Sequence, residues 1–295
     1  MALYLAIAVA ASALMALGLL MMKSRAVSLP EARGREIVHA VFTWLRDPMW
    51  TGGLGVQTAG FALYLVAVAN APISMIAVMM QGGIALFVVL SVLLMGERAN
   101  RREWTGIVAI GAGMLMLSLS LGAGTHGGRL DVPALVLLSV LGALTAVAPN
   151  FIAGVRNHGA AGAVAAGVLF GFGGVYTKAM ADVFLADPGT SVALRVAANP
   201  YVYLMAGANI AGIVVQQNAF HSARGIIVMP IASALSSLVP IAGGMAAFGE
   251  HLPGDPGAAA MRVGAFALTV VAGWLLATAE TAPAVKFTGA ASDSS

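Results

Sequence analysis

Long apolar runs alternate with short polar segments along the whole chain. Each run has about 18 residues or more, which is enough for an α-helix to cross a hydrocarbon core ~30 Å thick. The runs lie at about 2–22, 49–69, 72–95, 104–122, 132–150, 160–183, 200–219, 225–248 and 262–280. The pattern predicts an all-α polytopic membrane protein with about nine transmembrane helices.

The two largest polar segments have different characters. Ser28-Leu29-Pro30-Glu31 has the form of a helix-capping box with proline in the first turn. Apolar positions then recur at helical spacing up to Trp44, which predicts a short interfacial helix at about 29–46 that links the first two spans. Small and polar residues dominate 281–295 and predict a disordered C-terminal tail.

Composition agrees with a membrane protein and narrows the partners. Of the 295 residues, 60% are hydrophobic and 9% are charged, whereas soluble domains carry about a quarter charged residues. There is no cysteine, which excludes disulfides and thiolate sites. The net charge of +3 comes mainly from short loops, so we expect no nucleic-acid partner. Membrane lipid and a small-molecule solute are the expected partners, and a homodimer or a larger membrane complex stays open.

The basic residues also predict the orientation. With nine spans, the segments on the side of loop 23–48 hold Lys23, Arg25, Arg33, Arg35, Arg46, Arg98, Arg101, Arg102, Arg156, Arg224 and Lys286. The opposite segments hold Arg129, Arg195 and Arg262. By the positive-inside rule, we expect an integral protein of a bacterial cytoplasmic membrane with its N-terminus outside and its C-terminus inside.

Three short motifs recur in the same order 152 to 155 residues apart. The pairs are Gln57-x2-Gly60-x3-Tyr64 with Asn209-x2-Gly212-x3-Gln216, Gly96-Glu97 with Gly249-Glu250, and Gly18-x4-Lys23 with Gly173-x4-Lys178. They predict a repeat at 1–122, a connector with the fifth span at 123–159, and a second repeat at 160–280. Because one span separates the four-span repeats, the second is inverted, as in many secondary transporters.

The region around the first repeat's third span resembles the drug/metabolite transporter superfamily, with its EamA-like domains. The resemblance rests on Ala69-Asn70-Ala71-Pro72-Ile73, Gly96-Glu97-Arg98 and Trp104-Thr105-Gly106, and 219–250 looks similar. Members of that superfamily usually have ten spans in two inverted halves. The resemblance therefore implies a fold of that type with one span fewer, and a transport function.

A second resemblance points to another cargo. Lys23, Trp50 with Gly52-Gly53, and Gly173-x4-Lys178 resemble the NIPA-type magnesium transporters. That likeness implies a magnesium or divalent-cation transporter as an alternative. A membrane scaffold or accessory subunit that keeps a transporter-like fold without transport is a third reading.

Polar side chains inside the spans are the candidate substrate-binding residues, because such groups in lipid usually face a cavity or another helix. They are Gln57, Tyr64, Gln81, Asn209, Gln216, Ser236 and, at the end of the sixth span, Lys178. Hydrogen bonding between helices is the competing explanation for the amides and hydroxyls. For Lys178 the alternatives are contact with the interface, a gate paired with Lys23, or anion binding.

The remaining chemistry limits the function. No aspartate or glutamate lies in the middle of a predicted span, which argues against a proton-driven exchanger and against a site for bare Mg²⁺. No nucleophile–base pair, phosphate loop or metal-ligand spacing is present, so we expect no enzyme, cofactor or metal site. The expected function is a secondary transporter or facilitator that moves a small metabolite by alternating access.

Overall fold

The computed structural model describes residues 2–32, 34–70, 73–120, 130–148, 159–186, 192–252 and 254–279, and these contain helices and no strand. The helices are α1 (Ala2–Ala26), α2 (Ile37–Arg46), α3 (Pro48–Asn70), α4 (Ile73–Met95), α5 (Arg101–Ser120), α6 (Val132–Val147), α7 (Gly159–Ala186), α8 (Val192–Ala198), α9 (Pro200–Ser222), α10 (Gly225–Ala247) and α11 (Pro256–Ala279). Each predicted apolar run coincides with one of the longer helices. The tail at 281–295 and most of the connector's loops lie outside the described residues.

Five described helices are long and apolar enough to cross a membrane by length and composition. They are Leu3–Ala26, Arg101–Ser120, Gly159–Met180, Gly225–Ala247 and Pro256–Leu276. The chain is therefore a polytopic α-helical membrane protein. Helix α9 is as long as α10, but Asn209 and the run Gln216–Asn218 lower its mean hydropathy. The count of nine spans stays a prediction.

The helices pair in the same order in the two halves of the chain. Helix α1 packs mainly on α3 and α4, and α7 packs mainly on α9 and α10. Gly18 of α1 lies against the backbone of Gly53 and Gln57, and Gly173 of α7 lies against Asn209. These contacts join the positions that the repeat makes equivalent. Helices α5 and α11, the last of each predicted repeat, pack on each other.

The contact between α1 and α3 depends on the absence of a side chain at Gly18. A Cβ there would lie 2.5 Å from the Gly53 carbonyl oxygen, whereas one at Gly55 would meet nothing within 4 Å. We expect Gly18→Ala to lower the free energy of unfolding by about 1–3 kcal/mol. The two nearest atoms, the Gly53 carbonyl oxygen and the Gln57 amide nitrogen, belong to the backbone and cannot move aside as a side chain could. Gly55→Ala is the matched control and should leave stability unchanged or raise it by up to about 1 kcal/mol. Unfolding in mixed micelles measures both, and equal effects would contradict this packing.

The predicted interfacial helix at about 29–46 starts later in the structure than expected. Helix α2 starts at Ile37 after a 3-10 turn, Gly34–Glu36, and the capping box is not formed. The Ser28 hydroxyl instead donates to the Arg25 carbonyl, and the amide and carbonyl of Ala32 bond to the Asn218 side chain at 2.9 Å. These tertiary bonds satisfy backbone groups that a helix would otherwise use. Helix α8 was not predicted.

Asp47 fixes the turn between α2 and α3. Its carboxylate accepts from the amides of Met49 and Trp50 and from Arg25. Burial opposes ionisation of this group, but the bonds from Arg25 and the two amides outweigh it and hold the pKa of Asp47 below its ordinary value. The carboxylate thus starts α3 and ties it to the end of α1.

Candidate functional site

A cavity of about 410 Å³ lies around the middle of α1, α3, α7, α9 and α10. Both predicted repeats contribute to its wall. Its polar lining consists of Gln57, Thr58, Asn209, Gln216, Ser233 and Ser236. Its apolar lining includes Met15, Phe61, Phe170 and Met229. The volume is in the usual range for small-molecule sites.

The cavity brings together four of the predicted site residues, Gln57, Asn209, Gln216 and Ser236. The other three predicted residues have different outcomes. Tyr64 packs near Ala8 and Ala67, outside the lining residues. Lys178 lies in an ion pair towards one end of the bundle. The side chain of Gln81 lies outside the described residues.

At the end of the bundle where α1 finishes, Lys23 bridges the two halves of the chain. Its Nζ donates to the carbonyl oxygens of Phe220 and Ala223, each at 2.6 Å, and lies 3.9 Å from Glu97 Oε1. The ammonium also lies 5.5 Å from the centre of the Phe220 ring. The side chain is only 4% exposed. Cations stabilise the carbonyl end of a helix, here that of α9.

Glu97 acts on the next helix in the complementary way. Its two carboxylate oxygens accept from the amides of Gly225 and Ile226, at 2.8 and 3.0 Å, in the first turn of α10. Anions are favoured at helix N-termini, because the first amides lack partners within the helix. Lys23 and Glu97 together therefore hold the junction between α9 and α10, and we call these two residues the Lys23 clamp.

A second buried ion pair lies beside the clamp. The Arg224 guanidinium pairs with the carboxylate of Glu103, which is 1% exposed, and also donates to the Arg98 carbonyl. Glu103 accepts from the Asn100 amide at 2.8 Å while the Asn100 side chain accepts from the Glu103 amide at 2.9 Å. This reciprocal capping box starts α5 and fixes the carboxylate in position.

The opposite end of the bundle carries the equivalent pair, Lys178 and Glu250, which we call the Lys178 pair. Lys178 Nζ also lies 4.6 Å from the centre of the Phe248 ring. The glycines that precede the two glutamates have the same backbone conformation, with φ of 65° at Gly96 and 60° at Gly249. The repeat motifs therefore mark two matching Lys–Glu pairs.

The two pairs differ in environment. The Lys23 and Glu97 side chains are 4% and 9% exposed, whereas those of Lys178 and Glu250 are 35% and 17% exposed. The junction between α3 and α4, which corresponds to the one that the Lys23 clamp holds, includes residues 71–72 and lies outside the described residues. The Lys23 clamp is therefore the more buried of the two pairs.

Sequence reasoning did not find these pairings. The repeat makes Lys23 equivalent to Lys178 and Glu97 equivalent to Glu250. It does not indicate that each lysine pairs with a glutamate. Glu103 and Arg224 were not singled out, although Asn100-x-x-Glu103 has the spacing of a capping box. Among the described residues, no group of three His, Asp or Glu side chains is placed to hold a metal ion.

The geometry defines a class: a helical membrane protein with a mostly apolar cavity between its two halves and a Lys–Glu pair towards each end. The described lining of this cavity carries amides and hydroxyls but no charge. No protein-family model, curated protein or solved structure matches the chain.

Proposed function

We propose that the protein is a secondary transporter or facilitator that moves a small metabolite across the cytoplasmic membrane by alternating access. The observation that carries the proposal is the central cavity, whose amides Gln57, Asn209 and Gln216 come from equivalent helices of the predicted repeats. A substrate site at the interface of inverted repeats is typical of such transporters. The resemblance to the drug/metabolite transporter superfamily supports the same proposal.

The Lys–Glu pairs suggest how access would alternate. In the described state the Lys23 clamp holds the junction of α9 and α10. We propose that it closes that end, which we take as the cytoplasmic end from the basic loops. In the opposite state the clamp releases, and the Lys178 pair holds the other end closed. The Lys23 clamp is the more buried of the two pairs, so we expect the state that it closes to predominate.

The cavity favours a metabolite over a divalent cation. Magnesium binds through hard oxygen ligands that usually include carboxylates. The polar side chains of the described lining residues are amides and hydroxyls, without a carboxylate. The magnesium alternative therefore gains no support from this site.

Cysteine accessibility tests alternating access without knowledge of the cargo. The natural chain has no cysteine, so Ser236→Cys places one thiol in the cavity. We expect a membrane-impermeant maleimide to label it from either face of oriented proteoliposomes, because each state opens one face. Thr43→Cys on α2 is the control, since this partly exposed residue lies outside the cavity and should react from one face only.

Labelling of Ser236→Cys from one face alone, at a rate that no solute mixture alters, would contradict alternating access. That result would instead favour a membrane scaffold with a transporter-like fold.

A further inference from the structure

The described lining of the cavity carries polar groups but no formal charge. Its described polar side chains are three amides and three hydroxyls. The ionised groups closest to the lining residues along these helices are Lys23, Arg224, Asp47 and Lys178, and each already has an opposite partner. A cargo ion would therefore leave water without meeting a counter-charge, which is strongly unfavourable.

The amides retain hydrogen-bonding capacity. Asn209 donates through Nδ2 to the Met205 carbonyl at 2.8 Å, so its Oδ1 can accept from a ligand. The Gln216 amide meets only the Met229 sulfur, at 3.9 Å, although the residue is buried. Gln57 makes no side-chain hydrogen bond to any described residue. Unsatisfied amides at depth favour a ligand that offers both a donor and an acceptor.

Two of the three hydroxyl groups contribute less. Thr58 donates to the Leu54 carbonyl and Ser236 to the Ser233 carbonyl, both at 2.8 Å within their own helices. These protons are already used, so the hydroxyl oxygens remain as acceptors only. Selection of hydrogen-bonding groups therefore depends mainly on the amides.

The rest of the wall suits a flat apolar body. Phe61 and Phe170 come from different halves of the chain, and Met15 and Met229 are further lining residues. Phenyl rings pack well on other aromatic rings, and thioethers make favourable contacts with ring edges. A purely polar solute would leave this surface poorly matched.

We propose that the cavity takes an uncharged solute that combines an amide-like hydrogen-bonding group with a flat, aromatic body. This inference deepens the proposed transport function and rests on the same cavity. The solute's amide-like group pairs with Gln57, Asn209 and Gln216, and its ring lies against the phenyl and thioether side chains.

Three small probes of nearly the same shape test the charge and the hydrogen bonding: benzamide is neutral, benzoate is an anion and benzamidine is a cation. Titration calorimetry on the whole protein in nanodiscs should give benzamide an affinity at least about tenfold higher than either charged probe. Stronger or equal binding of a charged probe, or no binding of benzamide up to solubility, overturns the inference.

A negative charge introduced into the cavity should reverse the preference for benzamide over benzamidine. Gln57→Glu supplies a carboxylate that can form two parallel bonds to an amidinium, so benzamidine should overtake benzamide by about tenfold. Thr43→Glu adds the same charge on α2, where the residue is partly exposed and lies outside the cavity, and should leave the neutral preference intact. Reversal in Thr43→Glu, or no change of preference in folded Gln57→Glu, contradicts the assigned site.

Failure of this inference is distinguishable from failure of the proposed function. If the Ser236→Cys thiol is labelled from both faces but a charged probe binds best, the proposed transport function stands and the proposed substrate class is wrong. If benzamide binds selectively and the thiol reacts from one face only, the cavity is a binding site without transport.

Discussion

Arg224→Ala is expected to lower the free energy of unfolding by about 3–5 kcal/mol, because it leaves a buried carboxylate without its cation. Glu103 is 1% exposed and its charge faces the Arg224 guanidinium. Loss of the bond to the Arg98 carbonyl adds to the effect. Equilibrium unfolding in mixed micelles measures the change.

Two variants separate this explanation from a general loss of side-chain packing. Arg25→Ala breaks the more exposed pair with Asp47 and should change stability by at most about 1 kcal/mol. Glu103→Gln in the Arg224→Ala background should recover part of the loss, because glutamine can keep the capping box and removes the unpaired charge. A double variant as unstable as Arg224→Ala would contradict the buried-charge explanation.

Glu97→Gln is expected to open the Lys23 end of the bundle. Glutamine offers one acceptor oxygen where the carboxylate gives two charge-assisted bonds to the amides of α10, and it removes the counter-charge of Lys23. A charge-assisted bond is worth about 1.5–3 kcal/mol, and about 1.4 kcal/mol is a tenfold change in population. Labelling of Ser236→Cys from the Lys23 end should therefore accelerate about tenfold.

The same end offers a matched control for this variant. Glu31 pairs with His221 at 2.9 Å, and both side chains are about a third exposed, at 28% and 30%. Glu31→Gln should change the labelling rate less than about twofold, since exposed pairs contribute little. Equal rates for the two variants, with both folded, would show that the Lys23 clamp does not control access.

The sequence predicts the helices well and their contacts poorly, for a physical reason. Membrane helices are set by apolar length, which is a local property of the chain, so α1 and α7 are visible as runs. The loop at 29–32 was assigned wrongly because Asn218, far away in the sequence, satisfies the backbone of Ala32. No local pattern contains that contact.

The candidate site likewise contains residues that the sequence predicts and residues whose roles depend on distant contacts. Gln57 and Asn209 could be predicted because an amide in an apolar run is conspicuous and the repeat places the two on equivalent stripes. The roles of Lys23 and Glu97 could not be predicted, because a charged residue at the end of a span is equally suited to the lipid interface. Only the packing of α1 against α9, and of α4 against α10, turns these charges into a clamp.

Paired spin labels provide the most direct test that the two ends open in alternation. Ser24→Cys with Ser222→Cys spans the two halves at the Lys23 end, and Leu3→Cys with Leu204→Cys spans them at the opposite end. We expect two distance populations in each sample. Glu97→Gln should increase the population with the longer distance at the Lys23 end and the population with the shorter distance at the opposite end. Distances that stay single and fixed at both ends, or that lengthen together, would contradict alternating access by this protein.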